Sequence, residues 1–367
     1  MKKDNYVSNF AFTCIGRWIK VVVLLLTSVL TTHHVNGQSA ANYTFATNVT
    51  GSLALDMNGN ATDMSTGTTS LIGPGNDDLS SSVANIGFTF QLMGKQYTQF
   101  SVNSNGVVGL GSTVVGTGGT GLGNATTPVI AAFGGDQATV TLASVNSKVH
   151  YKLLGTAPNR ILVIEWANMK LDFSSYATAT AGNGTYQVLL YETTGVVELK
   201  YGAMSVATTF TTGPAIGFSA GSTAGSIASI TSSSNAIATS GTAWVNNTYA
   251  LGAIANLNSS SNGSRRVYRF TPTTAPNMTG SLTFSSVGSA GMTLNWTDVT
   301  GEVGYNILRS TDGVNYTLVN TNAANAVTYA ATGLTPLTTY YWQVVPITEG
   351  TVGTGLSASQ ATSAPAT

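Results

Sequence analysis

The stretch VVGTGGTGLGNATTP, residues 114–128, decides between two fold classes. Gly116, Gly118 and Gly121 stand in the G-x-G-x-x-G spacing of a dinucleotide-binding turn, and an acid comes later at Asp136. Such a turn works only where a strand enters and a helix leaves, because the helix N-terminus supplies the free N–H groups and partial positive charge that hold a pyrophosphate. Val114 and Val115 suit a strand end. The next residues, LGNATTPVIAAFGG, set Gly123, Asn124, two threonines and Pro128 in the path of any helix. The stretch therefore reads as a glycine-rich β-loop, and the chain as all-β rather than doubly wound α/β.

The flanking sequence repeats one grammar of apolar runs parted by turn residues. IGFTFQLMGKQYTQFSVNSNGVVGLGS places turns at Gly94-Lys95 and Asn105-Gly106, the second being a hairpin cue because both residues tolerate positive φ. SKVHYKLLGTAPNRILVIEWANMKLDF turns at Ala157-Pro158-Asn159, and GTYQVLLYETTGVVELKYG at Thr194-Gly195. No stretch sustains the i, i+3, i+4 pattern of a substantial helix. RFTPTTAPNMTGS then breaks the pattern with Pro272 and Pro276, a short polar connector across which few contacts are expected. Beyond it, alternation sets Met292, Leu294 and Trp296 on one strand face and Tyr340, Trp342 and Val344 on another, with a hairpin turn at Asp312-Gly313.

Composition narrows the class. With 43% hydrophobic residues the chain is able to build cores, whereas only 8% charged residues and 41 glycines imply a neutral, turn-rich surface. Lys2, Lys3, Arg17 and Lys20 precede the apolar run Val21–Leu30, too short to span a bilayer but suited to an export leader cut before Gln38, with Ala40 a second cutting point. Cys14 precedes that run, where a lipid-anchoring cysteine would come after it, so no lipoprotein is expected. Four of the 14 basic residues and one of the 14 acids fall in the first 37 positions, leaving ten against thirteen, a net charge of −3. A mildly acidic exported chain has no electrostatic case for nucleic acid, and after the cut it has no membrane span. It also has no cysteine, and His150 is its only histidine, so it enters an oxidising space without disulfides, as bacterial products do.

Residues 277–362 resemble a fibronectin type III domain, on Trp296 in the second strand and Leu334, Pro336 and Tyr340 before the sixth. The resemblance makes Tyr340 the tyrosine-corner residue, its hydroxyl bonding upstream backbone. The larger part resembles the N-terminal β-sandwich of secreted and surface proteins of Bacteroidota, loosely nidogen-like. That rests on the string from Ile86 to Ser112 together with IAAFGGDQ, GTAPNRILVIEW, YQVLLYETTGVVELKYG and YRFTP. It implies a β-sandwich leading into a fibronectin type III sandwich, and export by type IX secretion, although SASQATSAPAT carries no sorting domain. The expected division is a leader at 1–37, a sandwich at 38–272, a linker at 273–276, the second sandwich at 277–362 and a tail at 363–367.

Little in the sequence looks like chemistry. His150, in SKVHYKL, alternates with Val149 and Tyr151 and is expected on an exposed strand face rather than as a catalytic base. Asp77, Asp78, Glu165, Glu192 and Glu198 read as solvated turn and strand-face acids rather than a glycosidase pair. DMNGNATD sets Asp56, Asn58, Asn60 and Asp63 as alternate oxygen donors, but Gly59 and Gly67 break the EF-hand pattern, so no cofactor is expected, with a structural calcium left open elsewhere in a β-loop. The Asn-x-Ser/Thr triplets at Asn48, Asn60, Asn124, Asn183 and Asn277 are expected from composition alone. Exposed aromatics remain: Tyr176 in SSYATATAGNGT, and Trp244 and Tyr249 in GTAWVNNTYA, are the candidate ligand contacts. The expectation is a secreted or surface-attached, non-enzymatic adhesion module contacting a glycan or an extracellular protein. The alternative is the non-catalytic front of a longer secreted hydrolase.

Overall fold

The computed structural model describes residues 39–366 apart from 51–52, 119–126, 173–175, 206–212, 222–226, 232–235, 241–248, 250–253, 255–256 and 258–264. The first sandwich comprises β1 (Tyr43–Thr50), β2 (Thr69–Ile72), β3 (Ala84–Leu92), β4 (Lys95–Val102), β5 (Val107–Leu110), β6 (Val129–Gly134), β7 (Ala138–Thr139), β8 (Lys148–Leu154), β9 (Ile161–Lys170), β10 (Gly184–Tyr191), β11 (Val197–Met204), β12 (Ala215–Ser219), β13 (Ile227–Thr231), β14 (Ala236–Ser240) and β15 (Arg265–Pro272). One sheet runs β1-β15-β11-β10-β9-β8-β2, with β7 beside β9, and the other runs β14-β13-β12-β6-β5-β4-β3. The strand pairs are antiparallel, as hairpin grammar requires. The helical pieces among the described residues are short 3-10 turns, and none is long and apolar enough to cross a membrane.

Alternating residues of both sheets meet in one apolar core. Trp166 stacks on Tyr186 at 5.3 Å between ring centroids, and its indole N–H donates to Asn103 O at 2.9 Å. The hairpin turns fall where the sequence places them, with one shift. Met93 and Gly94, both at positive φ, form the β3–β4 turn one residue earlier than expected. At the β4–β5 turn Gly106 has φ +83°, and a Cβ there would lie 2.1 Å from Phe133 O, so both backbone conformation and space require glycine.

The second sandwich pairs a sheet β16-β17-β20 with a sheet β19-β18-β21-β22, built from β16 (Thr283–Ser285), β17 (Gly291–Asn295), β18 (Gly304–Ser310), β19 (Thr317–Ala323), β20 (Thr328–Thr332), β21 (Thr339–Ile347) and β22 (Leu356–Ala361). Its own core holds Met292, Leu294, Trp296, Tyr340, Trp342 and Val344, as alternation predicts. Tyr340 Oη accepts from Thr335 N–H at 3.0 Å, the upstream backbone bond that the resemblance implies. The protein is thus all-β, two sandwiches in series.

The expectation of few contacts across the connector does not hold. The β21–β22 loop turns back onto the first sandwich. Gln91 Nε2 donates to Thr348 O (2.7 Å) and Thr351 O (3.1 Å), Gly94 N–H donates to Glu349 O (2.8 Å), and Thr348 Oγ1 donates to Thr273 O (2.6 Å). A polar connector is read from sequence as a spacer, but the Thr348 side chain anchors on it at Thr273 while Gln91 joins the first sandwich directly to the loop.

Candidate binding cleft on the outer sheet face

None of the three aromatic candidates stands as a described exposed ring. Tyr249 is fully buried in the first core, its hydroxyl 3.3 Å from that of Tyr268. That corrects its reading as a surface contact: polar neighbours in the sequence say nothing about what packs over the ring. Tyr176 is half-buried in a short 3-10 turn. Trp244 lies outside the described residues. The glycine loop is equally plain. A methyl added at Gly116 or Gly118 would meet nothing within 4 Å, so no ligand-like close approach demands glycine there, while Gly121 lies outside the described residues. Gly116 O and Thr117 O instead accept from Asn103 and Asn105 side chains at 2.8 and 2.7 Å.

The calcium-like string resolves into a hydrogen-bonded turn tied to β10. Asp56 Oδ1 accepts from the Asn58 and Asn60 N–H groups at 2.9 and 2.7 Å, and Oδ2 from Asn60 Nδ2 at 2.9 Å and Tyr191 Oη at 2.8 Å. Burial works to raise the pKa of Asp56, but these hydrogen bonds outweigh it and hold the carboxyl below its ordinary range. A different acidic group, Asp77, Asp78 and Asp136, brings one carboxylate oxygen each within 4.8 Å of the others. Burial first, then the neighbouring carboxylates, push Asp77 and Asp136 upward.

The built polar site lies elsewhere, on the outer face of the larger sheet. Cross-strand register aligns His150 (β8), Glu165 (β9), Gln187 (β10) and Lys200 (β11) in one row. His150 Nε2 is 2.9 Å from Glu165 Oε1, and Gln187 Nε2 donates to Glu165 Oε2 at 2.6 Å. Lys200 Nζ donates to Leu53 O (2.7 Å) and Thr62 Oγ1 (2.8 Å). The row is roofed by the segment from Leu53 to Ser65. Met64 of that roof packs on Val163, Leu189, Tyr191 and Val196, outward-facing apolar residues of the sheet. His150 is therefore 2% exposed, against the expectation of an open strand face. Alternation gives the face correctly, but the cover comes from a loop almost a hundred residues earlier.

The roof leaves a cleft of about 380 Å³ at its edge, with Asp63, Ser65, Asn146 and Lys148 on its walls and Glu165 and Gln187 on its floor. Behind it the charges are balanced. Glu198 is fully buried and pairs with Arg269 at 2.9 Å; burial pushes its carboxyl up, against the pull of Arg269. Burial brings the Lys200 ammonium down to about 8, although Glu198, Asp56 and Glu165 oppose it. Glu192 is bound to Arg160. The three glutamates weighed as a hydrolytic pair are thus each held by a partner, and His150 spends one ring nitrogen on Glu165. The floor is thus a row of side chains tied together by hydrogen bonds, His150 to Glu165 and Glu165 to Gln187. The sequence does carry part of it: Lys148, His150 and Lys152 alternate on one face of β8, with Glu165 and Gln187 opposite. Nothing local marks Asp63, Ser65 or Asn146 as their neighbours.

No curated protein matches the chain. Among solved structures, the fibronectin type III domain of human KIAA0970 is 18% identical, covers 23% of this chain and 71% of its own length, and has a TM-score of 0.21. The corresponding domain of human collagen XX is 23% identical over 24% of this chain and 90% of its own, with a TM-score of 0.20. An Fn3-like protein from Clostridium thermocellum is 30% identical over 23% of this chain and 90% of its own, also at 0.20. A family model described as NIDO related matches residues 53–272, a span that opens on the roof of the cleft and closes with β15. Since that match takes in more than half of the chain, the protein belongs to the NIDO-related family.

Proposed function

We propose that this protein is an exported, non-catalytic adhesion or binding module from a bacterium of the Bacteroidota, and that its first sandwich takes a glycan in the outer-face cleft. The observation that carries the reading is the cleft itself: a concave polar site whose floor, Glu165 with His150 and Gln187, is fixed by hydrogen bonds before any ligand arrives. Its walls offer hydroxyl, amide, carboxylate and ammonium groups, the partners that sugar hydroxyls take, and they lack the broad apolar lining of a cofactor pocket. The family match and the second sandwich support an extracellular setting. The test is a screen of the mature chain over glycans and matrix proteins beside a hydrolysis assay on the same glycans. Binding without turnover is expected. Turnover, or binding confined to proteins, contradicts the reading.

A further inference from the structure

The joint between the sandwiches contains a fully buried carboxylate with one oxygen unused. Glu349, in the β21–β22 loop, accepts through Oε1 from Ser39 N–H at 3.2 Å and from Asn42 Nδ2 at 2.6 Å. Among the described residues its buried Oε2 has no hydrogen-bond partner and takes part in no ion pair. A buried carboxylate without a counter-ion is strongly disfavoured. Independently, the first of the two cutting points expected from the sequence falls between Gly37 and Gln38, one residue ahead of Ser39, with Gln38 itself outside the described residues.

We propose that Glu349 is a binding site for the α-ammonium of the mature chain, so that removal of the leader supplies the charge that completes the joint. The reach is short. Glu349 already holds the Ser39 nitrogen, and successive backbone nitrogens are about 3 to 4 Å apart by covalent geometry. In the uncut chain the Gln38 nitrogen is a neutral amide with one hydrogen; in the cut chain it is a cation with three. Capture of a terminal amine by a preformed acceptor site is an established mode of recognition. The other titratable groups at this place are Tyr43, whose hydroxyl donates to Glu349 O at 3.3 Å, and Tyr97. Burial raises both, Tyr97 to about 12, so neither ionises near neutrality.

Capture depends on the proposed export cut, and separate measurements address the cut and the capture. N-terminal sequencing of the exported chain fixes the cut; any start other than Gln38 overturns the proposal. Melting is then compared for a chain starting at Gln38 and one with Gly-Ser added before it, each with Glu349 or Glu349→Gln. At pH 6 the Gln38 chain melts several degrees higher, and Glu349→Gln removes the difference. Pairing raises the folded α-amino pKa above its ordinary value of about 7.7 to 8.0, so the advantage is complete below that range and is lost as pH rises through the raised value. Equal melting of the two Glu349 chains at pH 6 overturns the proposal, and this comparison decides even where Glu349→Gln does not fold. A second readout is cyclisation of Gln38, in which the α-nitrogen attacks the side-chain amide carbon and ammonia leaves. The folded Gln38 chain resists it relative to the unfolded chain, and equal rates contradict the capture.

Discussion

Gly195, in the β10–β11 turn of the first sandwich, lies against Gly350 in the β21–β22 loop of the second: a Cβ on Gly195 would sit 2.0 Å from Gly350 O. Gly350 in turn faces Pro272, where its own Cβ would come within 2.3 Å of Cγ. Two backbones approach this closely only because neither carries a side chain, and Gly195 also holds φ +61°. Gly195→Ala is expected to cost at least about 2 kcal/mol, from overlap and the left-handed backbone together. Denaturant melts monitored by separate probes in each sandwich check it. The native chain unfolds with coincident transitions and the variant with the second sandwich released first; a variant that melts just as the native chain does would show that the joint is not tight.

Lys200 gives the protein an unusual pH dependence. Its folded pKa is lowered to about 8 by burial, below the value in the unfolded chain, so between the two the unfolded state binds more protons. Stability from this group therefore rises with pH above about 8, by up to about 3 kcal/mol over the full window. Tyrosines raised by burial, Tyr191 and Tyr268 among them, oppose the rise once the unfolded chain's tyrosines begin to ionise, near pH 10, so the gain is read between about pH 8 and 9.5. Lys200→Met should flatten the slope. A slope that persists in the variant assigns the effect to another group.

Tyr249→Ala should cost about 3–5 kcal/mol, the range for truncating a buried aromatic. Tyr176→Ala, in a half-buried turn, should cost far less. Thermal melts of the two variants distinguish core from surface directly, and a loss below about 1 kcal/mol at Tyr249 would return it to the surface.

At the glycine loop, Gly116→Ala and Gly118→Ala should each change stability by no more than about 0.5 kcal/mol, since a methyl meets nothing within 4 Å and neither residue is at positive φ. Nucleotide titrations of the native chain should show no saturable binding. A dissociation constant that worsens in either variant would restore the dinucleotide reading.

The fold was legible where the signal is local. The Asn105-Gly106 and Asp312-Gly313 turns, and the buried faces of Met292–Trp296 and Tyr340–Val344, come from alternation and turn chemistry. Burial of outward-facing strand residues was not legible. His150 and Glu198 sit on an outer strand face as read, but the Leu53–Ser65 roof covers them, fixed by Met64 packing and by Asp56 hydrogen bonds that no pattern in those residues announces. Tyr249 fails for the same reason in reverse: its neighbours are polar while its ring is core. Long-range contacts, not periodicity, decide both the cleft and the joint.

Glycan recognition in the cleft is tested most directly by taking the glycan that binds best and measuring its affinity by calorimetry. The chains compared are the native protein, Lys148→Ala and Asp63→Ala on the cleft walls, and Asn320→Ala on the exposed face of the second sandwich. The wall variants are expected to keep their melting temperatures and lose tenfold or more in affinity, about 1.4 kcal/mol or more, with Asn320→Ala unchanged. Native affinity in both wall variants, with the glycan still bound, would place recognition outside the cleft and contradict the account.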